Sequence, residues 1–373
     1  MEKKRENDAF RIFSAIGIIL IVAGHADFHI FDLGGLFPYY SFHVAVFLFI
    51  SGYFYDENDE VHIGAYIRRK ALRLLVPYFL WNLFYGGLAA VLKHFGFIIG
   101  DGITFKTLFL DPFLTGHQFG YNFPAWFVPS LFLVEVINVC MRRVLTAIRL
   151  NKEYLIMAAV LLAGILTVWF AIGGHVWGYY KFPGRILFML PAFELGQLYK
   201  KKLERKDTLS NGIYFSILLV IQLIVVFSCA GLAYSTVWCA SFANGPVIPF
   251  VTMATGIAFW LRVSKMLSPL LPGMKGTRQI GTNTYGIMMH HVPAFFLVKG
   301  TFFALSVFTP WCADFDKPAF LTDVNYIYLL NGMDVSKWIY IAAGVVIPLA
   351  IGKMSKAGYG ALTEGLGRLR RQA

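Results

Sequence analysis

Residues 8–25 read Asp8-Ala-Phe-Arg11-Ile-Phe-Ser14-Ala-Ile-Gly-Ile-Ile-Leu-Ile-Val-Ala-Gly24-His25. Between Arg11 and His25 no side chain is charged, and the run approaches the length needed to cross a hydrocarbon layer of roughly 30 Å. Met1 to Arg11 followed by this run looks like a secretory signal. The apolar stretch, however, passes into His25, Asp27 and a further span without a small-residue cleavage site, so it reads as a retained first helix.

The pattern repeats along the chain. Hydropathy suggests about ten spans, at 10–28, 37–55, 71–95, 123–141, 153–172, 182–199, 210–231, 246–263, 281–305 and 338–353. Of the 373 residues 57% are hydrophobic, 17% aromatic and only 14% charged. Soluble domains carry roughly 25% charged residues, so the composition excludes a string of soluble domains as well as a disordered or fibrous chain. The expected fold is an all-α polytopic membrane protein, one membrane domain over residues 1–373.

The net charge of +12 would suit nucleic acid only if the cations formed an exposed stripe. They do not. Of the 33 Lys and Arg residues, 26 lie at the amino terminus, after every second span, or at the carboxyl terminus. Clusters stand at Lys3/Lys4/Arg5, Arg68/Arg69/Lys70/Arg73, Arg142/Arg143/Arg149/Lys152, Lys200/Lys201/Lys202/Arg205/Lys206, Arg262/Lys265/Lys275/Arg278 and Lys353/Lys356/Arg368/Arg370/Arg371. By the positive-inside rule these segments are cytoplasmic, with both termini inside. The two longest opposite loops, 96–122 and 306–337, then face outward and hold Asp101, Asp111, Asp314, Asp316 and Asp323.

The four cysteines show neither CxxC spacing nor a zinc-like grouping with histidine, so no metal is expected, although Cys229 and Cys239 flank one outward loop and could pair. His25 and His29 are four residues apart, but no carboxylate joins them in a local ligand motif. Phosphate-loop, nucleophile-elbow and dinucleotide motifs are absent from the sequence.

Polar and ionisable groups inside spans are expensive, a charged one by roughly 2.5–3.5 kcal/mol at a helix centre, so each needs a partner or a task. Here they are many: Arg11 and His25, His43, Asn82, Glu135, Arg185, Glu194, Asn283, His290 and His291. Counting 1.5 Å per residue with alternating direction puts His25 and His43 in the outer half, Asn82 and His291 near the middle, and Glu135 and Glu194 toward the cytoplasm. That is a polar path across the bundle. His25 is the leading general base, because a neutral imidazole in a low-dielectric site can take a proton from a hydroxyl. Arg68, Arg69 and Arg73 at the cytoplasmic mouth could grip phosphates, although membrane orientation alone accounts for most such clusters.

Taken in order, the motifs resemble the membrane acyltransferase-3 family, whose members transfer acyl groups, usually acetyl, to carbohydrates. The carriers are the 8–25 run, Phe42-His43 to Ser51-Gly52-Tyr53, Arg68-Arg69-Lys70 to Pro77-Tyr78, Trp126-Phe-Val-Pro129-Ser-Leu-Phe132, Phe193-Glu-Leu-Gly196, and Ile280-Gly281-Thr-Asn283-Thr-Tyr285-Gly286 to His290-His291. One feature departs from the family. Its usual Arg-x10-His becomes Arg11-x13-His25, with Ser14 in the expected place. Eleven helical steps turn about 20° and fourteen about −40°, so one face is kept while the reach grows by about 4.5 Å.

The resemblance implies acetyl-CoA as the acyl donor, with no tightly bound cofactor, and a lipid-linked or polymeric carbohydrate acceptor in a multi-pass bacterial cytoplasmic membrane. Within that frame His25 is the expected base, with His43, His291 and Asn82 as catalytic partners. Arg11, Arg68, Arg69 and Arg73 would bind the donor, and Trp126, Tyr121, Arg185 and Glu135 the acceptor. The chain also lacks the hydrolase-like domain that some members append, so transfer is expected to finish within the membrane domain. Oligomeric state stays open, a homo-oligomer included. A transporter or flippase for lipid-linked sugars is the alternative, since intramembrane His, Arg and Glu also suit alternating access; it predicts two related halves with broken helices.

Overall fold

The computed structural model describes residues 2–229, 242–271 and 274–372. Every regular element among them is helical. Among the described residues eight helices are long and apolar enough to cross a membrane. In chain order the bundle comprises α1 (Glu2–His25), α2 (His43–Tyr53), α3 (Ile63–Lys93), α4 (Gly120–Ala147), α5 (Glu153–Ile172), α6 (Lys181–Leu198), α7 (Asn211–Ser228), α8 (Ile248–Leu267), a short α9 (Lys275–Thr282), α10 (Thr284–Phe308) and α11 (Lys337–Gln372). The pairing of Cys229 with Cys239 involves a residue outside those described.

Each of the ten expected runs holds a helix among its described residues, but two differ from plain spans. Helix α6 carries Lys181, Arg185 and Glu194 within its 18 residues. Helix α2 has only 11 residues, about 16 Å of rise, because Pro38 and a one-turn 3-10 segment at Tyr39–Ser41 occupy the first part of the run. A broken helix at membrane depth is tolerable when protein surrounds it. His43, Val44, Ala45, Val46, Leu48 and Phe49 of α2 are all buried.

Two glycines make that enclosure close. A Cβ on Gly52 of α2 would stand 1.9 Å from the Phe193 carbonyl oxygen of α6, and one on Gly196 would stand 2.1 Å from that of Phe49. The helices therefore cross backbone to backbone, as small residues allow in membranes. Gly52 in the Ser51-Gly52 motif and Gly196 in Phe193–Gly196 are packing contacts.

Polarity is arranged inside out. On α7 Ile213, Ile217, Val220, Ile224 and Phe227 are exposed at alternating steps of four and three, a stripe facing outward. Gln222 of the same helix is buried, donating to the Leu36 carbonyl and accepting from Thr255 Oγ1 at 3.0 Å. Such a helix suits hydrocarbon outside and hydrogen bonds inside.

Ion pairs knit one end of the bundle together: Lys201 with Glu57 at 2.5 Å and Glu153 at 2.7 Å, Arg262 with Asp207 at 3.1 Å, Lys265 with Glu204 at 3.4 Å. This is the basic end. At the opposite, loop end the two long connections meet, the Ile98 amide donating to the Leu321 carbonyl at 2.8 Å.

Glu194, for which the sequence offers no account, lies at the heart of the basic end. Its carboxylate meets Arg142 at 2.5 Å, and Arg142 also binds both oxygens of Glu153 at 2.8 Å. Arg142 is fully buried, so two carboxylates are needed to hold its charge away from water.

Candidate active site

A cavity of about 540 Å³ runs from the basic end toward the loop end, walled by α1, α2, α3, α4 and α10. At its mouth stand Arg69, Lys70, Arg73, Asp59 and Tyr66, and deeper in are His43, Phe47, Trp126, Phe127 and His25. The mouth owes its shape to an irregularity in α3. Residues Ala71–Leu75 form a π-helical turn, a feature that interrupts regular hydrogen bonding and is frequent at functional sites. Arg73 belongs to that turn and lines the cavity.

The mouth is electrostatically layered. Arg69 is exposed and paired with Asp59 at 2.8 Å. Lys70 reaches inward to the buried Glu135 carboxylate at 2.5 Å. Glu135, expected among acceptor ligands, therefore sits with the mouth cations. Lys70 was legible in the sequence as one of the cluster, but its singular place came from a carboxylate 65 residues away.

His25 ends α1, and its Nδ1 lies 2.8 Å from Nε2 of His291 on α10, the rings stacked at 4.9 Å. His291 Nδ1 is 2.9 Å from the Ile287 carbonyl oxygen, which can only accept. Nδ1 of His291 therefore carries its proton, and neutral His291 presents a bare Nε2. His25 Nδ1 must then be the donor across the pair, leaving the lone pair of His25 on Nε2. The same logic holds for His43, whose Nδ1 donates to the Tyr39 carbonyl at 2.7 Å, so its Nε2 is also bare. The Phe123 ring stands edge-on to His25 at 4.9 Å.

Several expected site residues lie elsewhere. Arg11 pairs with Asp8 at 2.8 Å, and its carbonyl is pressed against Gly281 of α9, where a Cβ would stand 2.2 Å away. The stretched spacing thus leaves Arg11 outside the cavity wall, while Ser14 lines it. Arg68 is exposed and does not line it either. Asn82 is buried and does not line the cavity, accepting from Asn122 Nδ2 at 2.6 Å. Tyr121 packs on Phe296 at 5.3 Å, away from the cavity. Arg185 stands behind Trp126, its guanidinium 4.2 Å from the indole, so only Trp126 of that pair lines the space. His290 turns aside to the Tyr85 hydroxyl at 2.7 Å. No group of three or more His, Cys, Asp or Glu suited to a metal occurs among the described residues.

A family model described as an acyltransferase domain matches residues 8–351. The chain belongs to the membrane acyltransferase-3 family. The match spans nearly the whole helical bundle, so the cavity and both histidines lie within the acyltransferase domain. No curated protein and no solved structure matches the chain.

Proposed function

We propose that this membrane acyltransferase is an O-acetyltransferase, which moves acetyl from acetyl-CoA to a hydroxyl of a cell-surface or lipid-linked carbohydrate. The observation that carries the reading is the position of His25. It lines the cavity that opens among Arg69, Lys70 and Arg73, and it also lines a second chamber at the loop end. A base shared by two spaces can serve substrates that arrive from opposite sides of a bilayer.

In this reading the basic end faces the cytoplasm of a bacterial cell, as positive-inside orientation requires. Arg69, Lys70 and Arg73 hold the phosphates of the donor, and the thioester extends along the cavity toward His25 and His43. The acceptor O–H gives its proton to His25 Nε2 as the hydroxyl oxygen attacks the thioester carbon. The C–S bond then breaks, and His25 returns the proton to the departing sulfur, giving free CoA and an O-acetyl ester. His43 Nε2 lacks a proton, so it cannot stabilise the oxyanion while neutral; its place is to orient or accept. Attack by His25 itself on the thioester, followed by transfer from the acyl-imidazole, uses the same geometry.

The test is transfer of labelled acetyl from acetyl-CoA in membranes containing wild type or His25→Ala, with mass spectrometry of the glycans. A new acetyl ester that is lost in the variant is expected. Unchanged glycans and no acetyl-CoA turnover in well-expressed wild type would refute the reading.

A further inference from the structure

The second chamber, about 440 Å³, is bounded by Gly24, His25, Asp27, Tyr40, Asn325, Ile327, Leu329 and Lys337. Its walls come from three separate parts of the chain: the end of α1, the turn before α2, and the outer connection leading into α11. The backbone is distorted where it leaves the histidine, Asp27 lying at φ 52°, the left-handed region that a side-chain-bearing residue adopts at a cost. That turn holds the Asp27 carboxylate beside the chamber, two residues from the base. Lys337 fastens it from the other side, its Nζ donating to the Asp27 carbonyl at 2.7 Å and standing 3.5 Å from the Asp27 carboxylate.

The charges around this opening are unequal. Lys337 faces not only Asp27 but also Asp334, at 3.0 Å. His29 on the rim is held between Asp27 and Asp32, at 3.0 Å each. Three carboxylates, Asp27, Asp32 and Asp334, thus stand against Lys337 and the titratable His29, and Lys337 is already committed to two of them, Asp27 and Asp334. Lys337 is consequently a poor anchor for an incoming carboxylate, sulfate or phosphate, because a new anion would meet Asp27 and Asp334 as well. Hydroxyl groups meet no such penalty, since carboxylate, ammonium and amide groups all bond them, and Ile327 and Leu329 supply the apolar surface that a sugar face covers.

We infer that this chamber is the acceptor port, and that it admits an uncharged, hydroxyl-rich carbohydrate to His25 while disfavouring anionic glycans. The inference rests on the acetyltransferase reading and adds to it the residues of the port and the charge class of the acceptor.

Cysteine substitution followed by chemical blocking tests it without asking a weakened variant to fold. Leu329→Cys and, separately, Asn325→Cys are treated in membranes with a cationic trimethylammonium-ethyl or an anionic sulfonatoethyl methanethiosulfonate. Wild type, with its own cysteines, is treated in parallel. Each treated variant is compared with its untreated self for binding of labelled acetyl-CoA and for labelled acetyl on the envelope glycans of the expressing cell. The expected result is loss of glycan acetylation by about tenfold or more with donor binding retained. The anionic reagent should also react at least about tenfold more slowly than the cationic one, after correction for their rates with free cysteine. Glycan acetylation that survives complete modification at both positions would overturn the port. Equal corrected rates would overturn its charge preference. Failure of untreated wild type to turn over acetyl-CoA would instead refute the underlying function, a result separable from either.

Discussion

His25 and His291 lie 266 residues apart in sequence and 2.8 Å apart in space, Nδ1 to Nε2. The carbonyl of Ile287 sets the tautomer of His291, and His291 sets that of His25. The pair therefore carries one prediction about catalysis. His291→Ala removes the acceptor for the His25 Nδ1 proton and frees the ring to turn, so the rate of acetyl transfer should fall by about 10² or more while the KM for acetyl-CoA stays near its original value. His291→Gln can still accept through its amide oxygen, and it should recover a measurable part of the loss. Equal activity of His291→Ala and wild type would mean that His25 does not depend on its neighbour.

Lys70 and Glu135 make the second prediction, because on the proposed function the mouth cation that would meet the donor also holds a buried carboxylate. Glu135 is buried, and Lys70 is its ion-pair partner. Lys70→Met should raise the KM for acetyl-CoA roughly tenfold and also destabilise the bundle by about 3–5 kcal/mol, the usual cost of leaving a buried charge unpaired. Adding Glu135→Gln should restore thermal stability without restoring donor affinity. If both properties recover together, Lys70 serves the fold alone.

Much of this was legible in the sequence. The polytopic helical fold follows from the apolar runs and the family from the order of the motifs, because hydrophobic length and local spacing are one-dimensional signals. The choice of His25 rested on its type and its place at the end of an apolar run. What the sequence could not convey was partnership. Arg11 pairs with Asp8, and Tyr121 and Asn82 are packed among neighbours, so none of the three lines the cavity, which no local spacing reveals. The counterion of Glu194 belongs to α4, and the counterpart of Lys337, Asp27, is 310 residues away. Only the chain's return to the same point in space brings such groups together.

The Arg142 cluster makes the third prediction, a separation of structure from catalysis. Glu194→Ala removes one of two carboxylates from a fully buried guanidinium, and a loss of about 3–5 kcal/mol is expected. Arg142→Met alone should be no better, since it strands Glu194. The double change Arg142→Met with Glu194→Leu should recover much of the thermal stability, because an apolar replacement carries no desolvation penalty. Any protein that still folds should keep the KM for acetyl-CoA, as neither residue lines the cavity. Thermal unfolding in detergent, read beside donor kinetics, distinguishes this from a role in the site.

His29 makes the last prediction, one of pH. Burial by itself lowers its pKa, but hydrogen bonds that the ring donates to the Asp32 and Asp27 carboxylates, with their charge, outweigh that and hold it above the ordinary 6.5. The Tyr39 hydroxyl, 3.5 Å from Nδ1, and Lys337 on the far side of Asp27 complete its surroundings. A histidine with a raised folded-state pKa lends its stabilisation fully below the unfolded value and loses it as pH climbs through the folded one. The turn from Asp27 to Asp32 should therefore be held most firmly in mild acid and loosen as the medium becomes alkaline. Because Asp27 bounds the second chamber, the port proposed for the acceptor, the KM for acceptor should rise over that window while the KM for acetyl-CoA stays level. His29→Gln keeps the side-chain size and one hydrogen bond but cannot titrate, and it should flatten the acceptor profile. A variant that retains the full pH dependence would place its origin in another group.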